Sequence, residues 1–201
     1  MTAVGTDRRS AVFLDRDGVL NRNRHDYVKS WEEFEFLPSV FAGLRLLADS
    51  DFAIVIVTNQ SVVGRRIISE TQLDRIHSIM TDEIERQGGR VDAVLCCPHH
   101  PEDHCKCRKP HPGLLLRAAN ELNLDLSRSF LIGDARSDTV AALRAGCQAI
   151  MVLTGRGSIE FANAPPHLVK QCHVARDLAA AITWILAKDH TQLVLTTEDD
   201  C

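Results

Sequence analysis

The chain has 201 residues, of which 45% are hydrophobic and 25% are charged, and this is typical of one globular domain with its own hydrophobic core. Its formal net charge of −4 argues against a dedicated nucleic-acid-binding protein, which carries a strongly basic face. The longest uninterrupted apolar run, Phe52–Val57, is too short for a membrane span, and no secretory signal is recognisable. We therefore expect a cytoplasmic protein with no membrane and no nucleic-acid partner.

Short apolar runs alternate with segments of helical periodicity along the chain. The run Ala53–Val57 is β-branched and lacks polar alternation, which is typical of a strand buried on both faces. Ser69–Gln72 has the spacing of a capping box, and Gly88 and Gly89 end the helix that follows. We predict strands at Ala11–Leu14, Ala53–Val57, Ala93–Cys96, Ser129–Ile132 and Ala149–Leu153, and helices within Ser39–Ser50, Leu73–Ile84, Leu114–Leu122, Thr139–Ala145 and Leu178–Ile185.

This alternation predicts an α/β fold, a Rossmann-like doubly wound parallel sheet with helices on both faces. The domain is expected to span residues 11–188, between a flexible N-terminus at 1–10 and a C-terminal tail at 189–201. Ligands of such folds bind at the carboxyl ends of the strands. The sequence therefore predicts a functional site where several strands end in polar residues.

Carboxylates follow two of the predicted strands. Asp15 and Asp17 come directly after the first strand, and Asp134 follows the fourth. Neighbouring carboxylates repel each other unless a cation lies between them, and Mg²⁺ prefers such oxygen ligands. The alternative is a solvated turn, but the position of these acids after buried strands favours a magnesium site.

Other polar residues near these strand ends suit phosphate. Thr58 and Asn59 offer a hydroxyl and backbone N–H groups, and Lys109 and Arg108 offer a point charge and a planar fork. Asp138 adds a further acid four residues after Asp134. Alone, each would read as a turn or a helix cap, but together they indicate phosphate chemistry.

Three of the seven cysteines fall within eleven residues, in a segment that also contains histidines. Three thiolates and one imidazole form a closed tetrahedral zinc site, which is structural because no position is left open for substrate. A redox cysteine pair is the weaker alternative. The candidate ligands are Cys97, Cys105, Cys107 and one of His99, His100 and His104.

These motifs together resemble the haloacid dehalogenase superfamily of phosphatases. The resemblance is closer to the D-glycero-D-manno-heptose 1,7-bisphosphate 7-phosphatases and their histidinol-phosphatase relatives, and it covers roughly residues 11–188. Its motifs are Asp15-Arg16-Asp17-Gly18, Thr58 and Lys109, Gly133-Asp134 through Asp138, and the specific stretches Phe13–Asn21, Thr58–Ser61 and Cys97–Gly113.

The resemblance implies a Mg²⁺-dependent phosphatase. Asp15 would be the nucleophile that forms an aspartyl-phosphate, and Asp17 the general acid and then general base. The Asp15 carboxylate, the Asp17 backbone carbonyl and Asp134 would hold Mg²⁺. Thr58 and Lys109 would stabilise the phosphoryl group during transfer.

The resemblance also implies the rest of the site. No stretch is left for a separate cap domain, so loops at Asn23–Tyr27, Ser61–Ile68 and Cys97–Lys109 would enclose the sugar. The zinc ligands would be Cys97, His99, Cys105 and Cys107. The substrate-binding residues would be Asn23, Arg24, His25, Asp26, Tyr27, Thr58, Asn59, Gln60, Ser61, Arg108 and Lys109.

Two departures from the relatives concern this site. Ala135 stands directly after the aspartate where some members carry Lys, and Arg136 is the candidate replacement. The segment from Asn21 to Tyr27 is one residue longer than in the relatives.

Three functions remain as hypotheses. The first is hydrolysis of heptose 1,7-bisphosphate, which the asparagine at position 21 favours. The second is hydrolysis of histidinol phosphate by the same chemistry. The third is a non-catalytic zinc-stabilised binding module, which the negative charge and the full set of acids disfavour. The expected substrate is a small phosphorylated sugar, and the expected protein is a monomer.

Overall fold

A computed structural model of the chain describes residues 8–198, with side chains described for residues 8–189. Parallel strands form one six-stranded sheet in the order β3-β2-β1-β4-β5-β6. This is the strand order of the Rossmann fold, so the predicted doubly wound α/β architecture is confirmed. The strands are β1 Ala11–Leu14, β2 Ala53–Asn59, β3 Ala93–Cys97, β4 Phe130–Gly133, β5 Gln148–Val152 and β6 Cys172–Ala175.

Helices cover both faces of the sheet. Alternate side chains of a strand point to opposite faces, so Val12 and Leu14 of β1 enter one hydrophobic core, and Ala11 and Phe13 enter the other. The helices are α1 Val40–Ala48, α2 Ser61–Gly64, α3 Glu70–Arg86, α4 Gly113–Glu121, α5 Arg136–Ala145, α6 Gly157–Ala162, α7 Pro166–Val169 and α8 Leu178–Glu198. Helices α1, α3 and α8 contribute to the first core, and α4 and α5 to the second.

Several elements differ from their predicted bounds. Strand β6 was not predicted, because only Ala175 in it is buried and the sequence there has no apolar run. Helix α5 begins before Thr139, at Arg136, because the Asp138 carboxylate accepts a hydrogen bond from the Ala135 N–H at 3.1 Å. Helix α8 continues through position 188, where the tail was predicted to begin. Residues 1–7 and 199–201 of the predicted termini lie outside the described residues.

The parallel arrangement brings four strand ends to one edge of the sheet. Asp15 follows β1, Thr58 lies at the end of β2, Cys97 ends β3 and Asp134 follows β4. The predicted convergence of polar residues at the carboxyl edge is therefore present in the fold.

Within residues 8–198, none of the helices combines the length and the apolar character that crossing a bilayer requires.

Candidate active site

Asp15 and Lys109 form a buried ion pair at the carboxyl edge. Lys109 Nζ lies 2.7 Å from Asp15 Oδ1 and 2.7 Å from Asp138 Oδ1. It also donates a hydrogen bond to the Val57 carbonyl oxygen at 2.8 Å. Two carboxylate oxygens and one carbonyl oxygen therefore surround the ammonium. The lysine is therefore held in one position beside Asp15.

Asp15, Asp134 and Asp138 form a carboxylate cluster, in which one oxygen of each lies within 4.8 Å of the others. Burial raises the pKa of Asp15 to about 7, with Lys109 opposing the shift and the charges of Asp138 and Asp134 adding to it. Burial is also the main reason why the pKa of Asp134 rises to about 6. Asp134 Oδ1 is buried and has no hydrogen-bond partner among the described residues.

This donor set fits a divalent cation. A cation would offset the carboxylate repulsion that adds to the effect of burial on the pKa values of Asp15 and Asp134, and it would give the unpartnered oxygen of Asp134 a partner. Mg²⁺ suits a site built of oxygen ligands. The carboxylate of Asp17 lies outside the cluster, so only its backbone carbonyl remains as the predicted ligand from that residue.

Gly18 allows the turn after β1 to approach Asp134 closely. Its φ of +86° lies in the left-handed region that glycine adopts without strain. A Cβ at this position would lie 2.0 Å from Asp134 Oδ2, which is impossible without rearrangement. The glycine in the first motif is therefore required by both conformation and space.

The carboxylate of Asp17 is held by three side chains. Arg16 Nη2 donates to Oδ1 and Oδ2 at 3.0 and 2.9 Å, Asn21 Nδ2 donates to Oδ1 at 2.9 Å, and Gln60 Nε2 donates to Oδ2 at 2.8 Å. Burial tends to raise the pKa of Asp17, but the charge of Arg16 and these hydrogen bonds outweigh it and lower the pKa below its ordinary value. Asp17 is therefore an oriented, ionised carboxylate.

Asn59 and Gln60 orient their neighbours as well as lining the site. Asn59 Oδ1 accepts from the backbone N–H of Lys109 at 3.0 Å, and its Nδ2 donates to the Lys109 carbonyl at 3.0 Å. Gln60 Nε2 donates to Thr58 Oγ1 at 2.8 Å as well as to Asp17. These contacts fix the backbone of Lys109 and the hydroxyl of Thr58.

A cavity of about 650 Å³ lies at this edge, walled by the three predicted loops. Asp26 is the exception among the predicted substrate-binding residues, because its carboxylate binds Lys29 Nζ at 2.6 Å and Arg24 Nη2 at 3.2 Å instead of lining the cavity. The predicted residues that line it are Asp15, Asp17, Asn23, Arg24, His25, Tyr27, Thr58, Asn59, Gln60, Ser61, Arg108 and Lys109. Further lining residues are Arg16, Val28, Arg65, Pro101, Ser137, Asp138 and Arg156.

The cation expected near Asp134 comes from a different residue than predicted. Arg136 lies outside the cavity lining, and its Nε lies 2.7 Å from Glu160 Oε2. Arg156 lines the cavity instead: its Nε lies 3.8 Å from Asp134 Oδ2, and its backbone N–H donates to the same oxygen at 2.8 Å. Arg156 follows β5, so the rule that ligands bind at strand ends could have identified it from the sequence.

The cysteine-rich loop brings four metal-binding side chains together. The three Sγ atoms of Cys97, Cys105 and Cys107 lie 3.3 to 3.4 Å from one another. His99 Nδ1 lies 3.5 Å from the Sγ of Cys97 and 3.2 Å from that of Cys107. These separations are close to the edge of about 3.8 Å expected for thiolates around one zinc ion, so the donor set fits Zn²⁺.

The rival histidines have other places in this loop. His100 Nδ1 accepts a hydrogen bond from the Glu102 N–H at 3.3 Å and caps a short 3₁₀ helix, Pro101–Asp103. His104 ends that helix in the left-handed conformation, with φ of 47°. Neither belongs to the cluster, so the geometry favours His99 among the three candidates.

The fold and this site define a hydrolase of the haloacid dehalogenase-like class. Residues 106–181 match the HAD-hydrolase-like family. The chain is 44% identical over 153 residues to D-glycero-beta-D-manno-heptose-1,7-bisphosphate 7-phosphatase of Rhodopseudomonas palustris, covering 73% of this chain and 84% of the relative. It is 37% identical over 175 residues to the enzyme of the same name from Bordetella bronchiseptica, covering 87% of this chain and 97% of the relative.

A solved structure agrees with these relatives. The D,D-heptose 1,7-bisphosphate phosphatase from B. bronchiseptica, complexed with magnesium and phosphate, superposes with a TM-score of 0.83 at 36% identity, covering 89% of this chain and 99% of that one. The chain belongs to the D-glycero-beta-D-manno-heptose-1,7-bisphosphate 7-phosphatase family of the haloacid dehalogenase superfamily. It is an enzyme that hydrolyses phosphoric monoesters.

Proposed function

We propose that the enzyme hydrolyses the 7-phosphate of D-glycero-D-manno-heptose 1,7-bisphosphate, with Asp15 as nucleophile and Mg²⁺ as cofactor. The observation that carries this proposal is the buried Asp15–Lys109 pair lining a cavity with several arginines. The names of the curated relatives support the substrate, and the magnesium complex of the B. bronchiseptica enzyme supports the cofactor.

The reaction takes place in two displacements. In the first, an oxygen of Asp15 bonds to phosphorus, the bond to the sugar oxygen breaks, and Asp17 gives that oxygen a proton. In the second, water attacks the aspartyl-phosphate, Asp17 takes a proton from it, and Asp15 and inorganic phosphate are released. The negative charge of an arriving phosphate raises the pKa of Asp17, so the carboxyl can carry the proton for the first step.

Lys109 and Thr58 act on the phosphoryl group by position and charge. The ammonium already lies beside the attacking oxygen of Asp15, so it requires no reorganisation during transfer. The carboxylates of Asp15 and Asp134 and the backbone carbonyl of Asp17 would hold Mg²⁺. The ion supplies Lewis-acid stabilisation of phosphate charge.

The charge of the cavity favours a bisphosphate over histidinol phosphate. Arg65 and Arg108 line the cavity and have no carboxylate within salt-bridge distance among residues 8–189, and Nη1 of Arg108 is buried without a partner. Such groups suit a second phosphate. Histidinol phosphate carries an ammonium group, which these cations would repel.

We expect a preference of at least roughly tenfold in kcat/KM for heptose 1,7-bisphosphate over histidinol phosphate, because one favourable charge contact is worth about 1.4 kcal/mol or more. Phosphate release with Mg²⁺ measures both rates. Arg108→Ala should raise KM for the bisphosphate, whereas Arg136→Ala, which removes a cation outside the cavity lining, should leave it unchanged. A preference for histidinol phosphate would overturn the substrate assignment.

We further propose that Cys97, His99, Cys105 and Cys107 hold a structural Zn²⁺. The loop is mostly polar and leads directly into Arg108 and Lys109. A bound metal would order this loop and so hold the two phosphate-binding residues in place. Thiolate ligands require reduced cysteines, which suits the cytoplasmic location that we also propose.

Metal analysis of the purified protein should find one tightly bound zinc per chain, and Cys105→Ser should lose it. The variant should also have a Tm lower by roughly 5 °C or more, since zinc binding adds to folding free energy. Cys172→Ser is the matched control, because Cys172 lies outside the cluster and its variant should retain the zinc. A Cys105→Ser protein with unchanged zinc content would contradict the proposal.

A further inference from the structure

Arg16 is a charged side chain buried inside the fold next to Asp17. Only 1% of its surface is exposed, and its guanidinium lies 5.9 Å from the centre of the Phe34 ring. Burying a charge is costly unless the group is paired and hydrogen-bonded. Its Nη2 meets this need by binding both oxygens of Asp17.

The second anchor of this guanidinium is His77, on helix α3. Nη1 of Arg16 lies 3.2 Å from Nε2 of His77, and the two residues are 61 positions apart in the sequence. His77 is itself buried, with 7% of its surface exposed. It does not line the cavity, so it has no contact with the substrate space.

The chemistry of the pair fixes its hydrogen bond. An arginine can only donate, so Nε2 of His77 is the acceptor and the imidazole is neutral. Burial and the charge of Arg16 lower the pKa of His77 to about 3, which agrees with a neutral ring.

The guanidinium of Arg16 is held mainly by its contacts with Asp17 and His77. Nε of Arg16 is buried and has no partner among the described residues. Within residues 8–189, Asp17 and His77 are the acceptors that orient the guanidinium. Without the acceptor on His77, one end of the planar group is no longer held, and the contact at the other end loses its fixed geometry.

We propose that His77 is a positioning residue, which anchors Arg16 so that the guanidinium aims the Asp17 carboxylate into the cavity. This inference rests on the proposed role of Asp17 in proton transfer. General acid–base groups contribute about 10²- to 10⁴-fold to rate when correctly placed, so a misplaced Asp17 affects kcat and not substrate binding.

The test compares His77→Leu with His77→Gln. The glutamine carbonyl can accept the hydrogen bond of Arg16, whereas leucine fills the space without an acceptor. We expect kcat of His77→Leu to fall roughly tenfold or more, with KM and the inhibition constant of inorganic phosphate within about twofold of wild type. His77→Gln should retain kcat within about threefold.

Met80→Ala is the control for an effect of lost stability on activity. It removes a fully buried side chain from the same helix and so creates a cavity. This variant should lower Tm at least as much as His77→Leu but keep kcat at the wild-type value. Unchanged kcat in His77→Leu, or an equal loss of kcat in His77→Gln, would refute the positioning role.

Running every assay with p-nitrophenyl phosphate as well as heptose bisphosphate separates this inference from the substrate assignment. If the wild type hydrolyses only the aryl phosphate, the heptose assignment fails while the His77 comparison is still decided. If Asp17→Asn leaves kcat unchanged on both esters, Asp17 has no role in proton transfer, and the inference falls with that role.

Discussion

Replacing Asp15 with Asn is expected to reduce kcat by about 10⁴-fold or more, because the amide removes the carboxylate that we propose as the nucleophile of a covalent route. Asp15 lies directly after β1, with an oxygen 2.7 Å from Lys109 Nζ, and its backbone is fixed by a hydrogen bond to Ile132 of β4. The variant should fold, since it removes a buried negative charge from a crowded carboxylate cluster. Phosphate release from heptose bisphosphate with Mg²⁺ measures the loss.

A matched control for this change is Asp82→Asn, which alters the same residue type on the exposed side of α3. It should retain wild-type activity. Covalent trapping strengthens the result, because wild-type enzyme mixed with substrate and quenched in acid should carry a phosphoryl group that Asp15→Asn lacks. Equal phosphate release from the two aspartate variants would rule out an aspartyl-phosphate at position 15.

The second large effect is expected from Lys109→Met, which keeps the length of the side chain but removes its charge. Lys109 satisfies the carboxylates of Asp15 and Asp138 and the carbonyl of Val57. Removing one preorganised charged donor from such a site costs about 10²- to 10³-fold in kcat. We expect a loss of this size, measured on the same substrate.

Lys109→Met should also destabilise the fold. Breaking a buried ion pair costs about 3–5 kcal/mol, because the remaining charges lose their partner. Protonation of Asp15, whose pKa is already raised to about 7, lessens this cost near neutral pH. Urea unfolding measures the change, with Lys170→Met on the exposed surface as the control. A variant that keeps more than about a tenth of wild-type kcat would contradict the role of Lys109 in the transfer.

The strands could be predicted from sequence where burial is complete. Ala11–Leu14 and Ala53–Val57 are short apolar runs without polar alternation, and both are strands buried on both faces. β6 escaped prediction because it lies at the edge of the sheet, where partial exposure permits a mixed sequence. A strand can therefore be predicted from its sequence pattern only where its burial in the fold requires hydrophobic residues.

Some features of the candidate site could likewise be predicted from the sequence, and others could not. Asp15, Thr58 and Asp134 could be predicted to converge, because parallel strands carry the residues at their carboxyl ends to one edge. The four zinc candidates lie within eleven residues, so their proximity follows from the chain itself. Asp26 could not be excluded from the cavity by its position in a loop, since its pairing with Lys29 and Arg24 is a matter of side-chain geometry.

By itself the sequence determined the fold class, the edge of the sheet where polar residues gather, and the chemical types of the side chains found there. Only the tertiary structure decided the partners: Arg156 beside Asp134, Asn59 on the backbone of Lys109, and His77 behind Arg16. The physical reason is the separation along the chain of the residues that must interact. Strand order and periodicity follow from repeating local patterns, whereas a hydrogen bond or buried ion pair depends on placing two atoms within about 3 Å, which only the packing of distant segments provides.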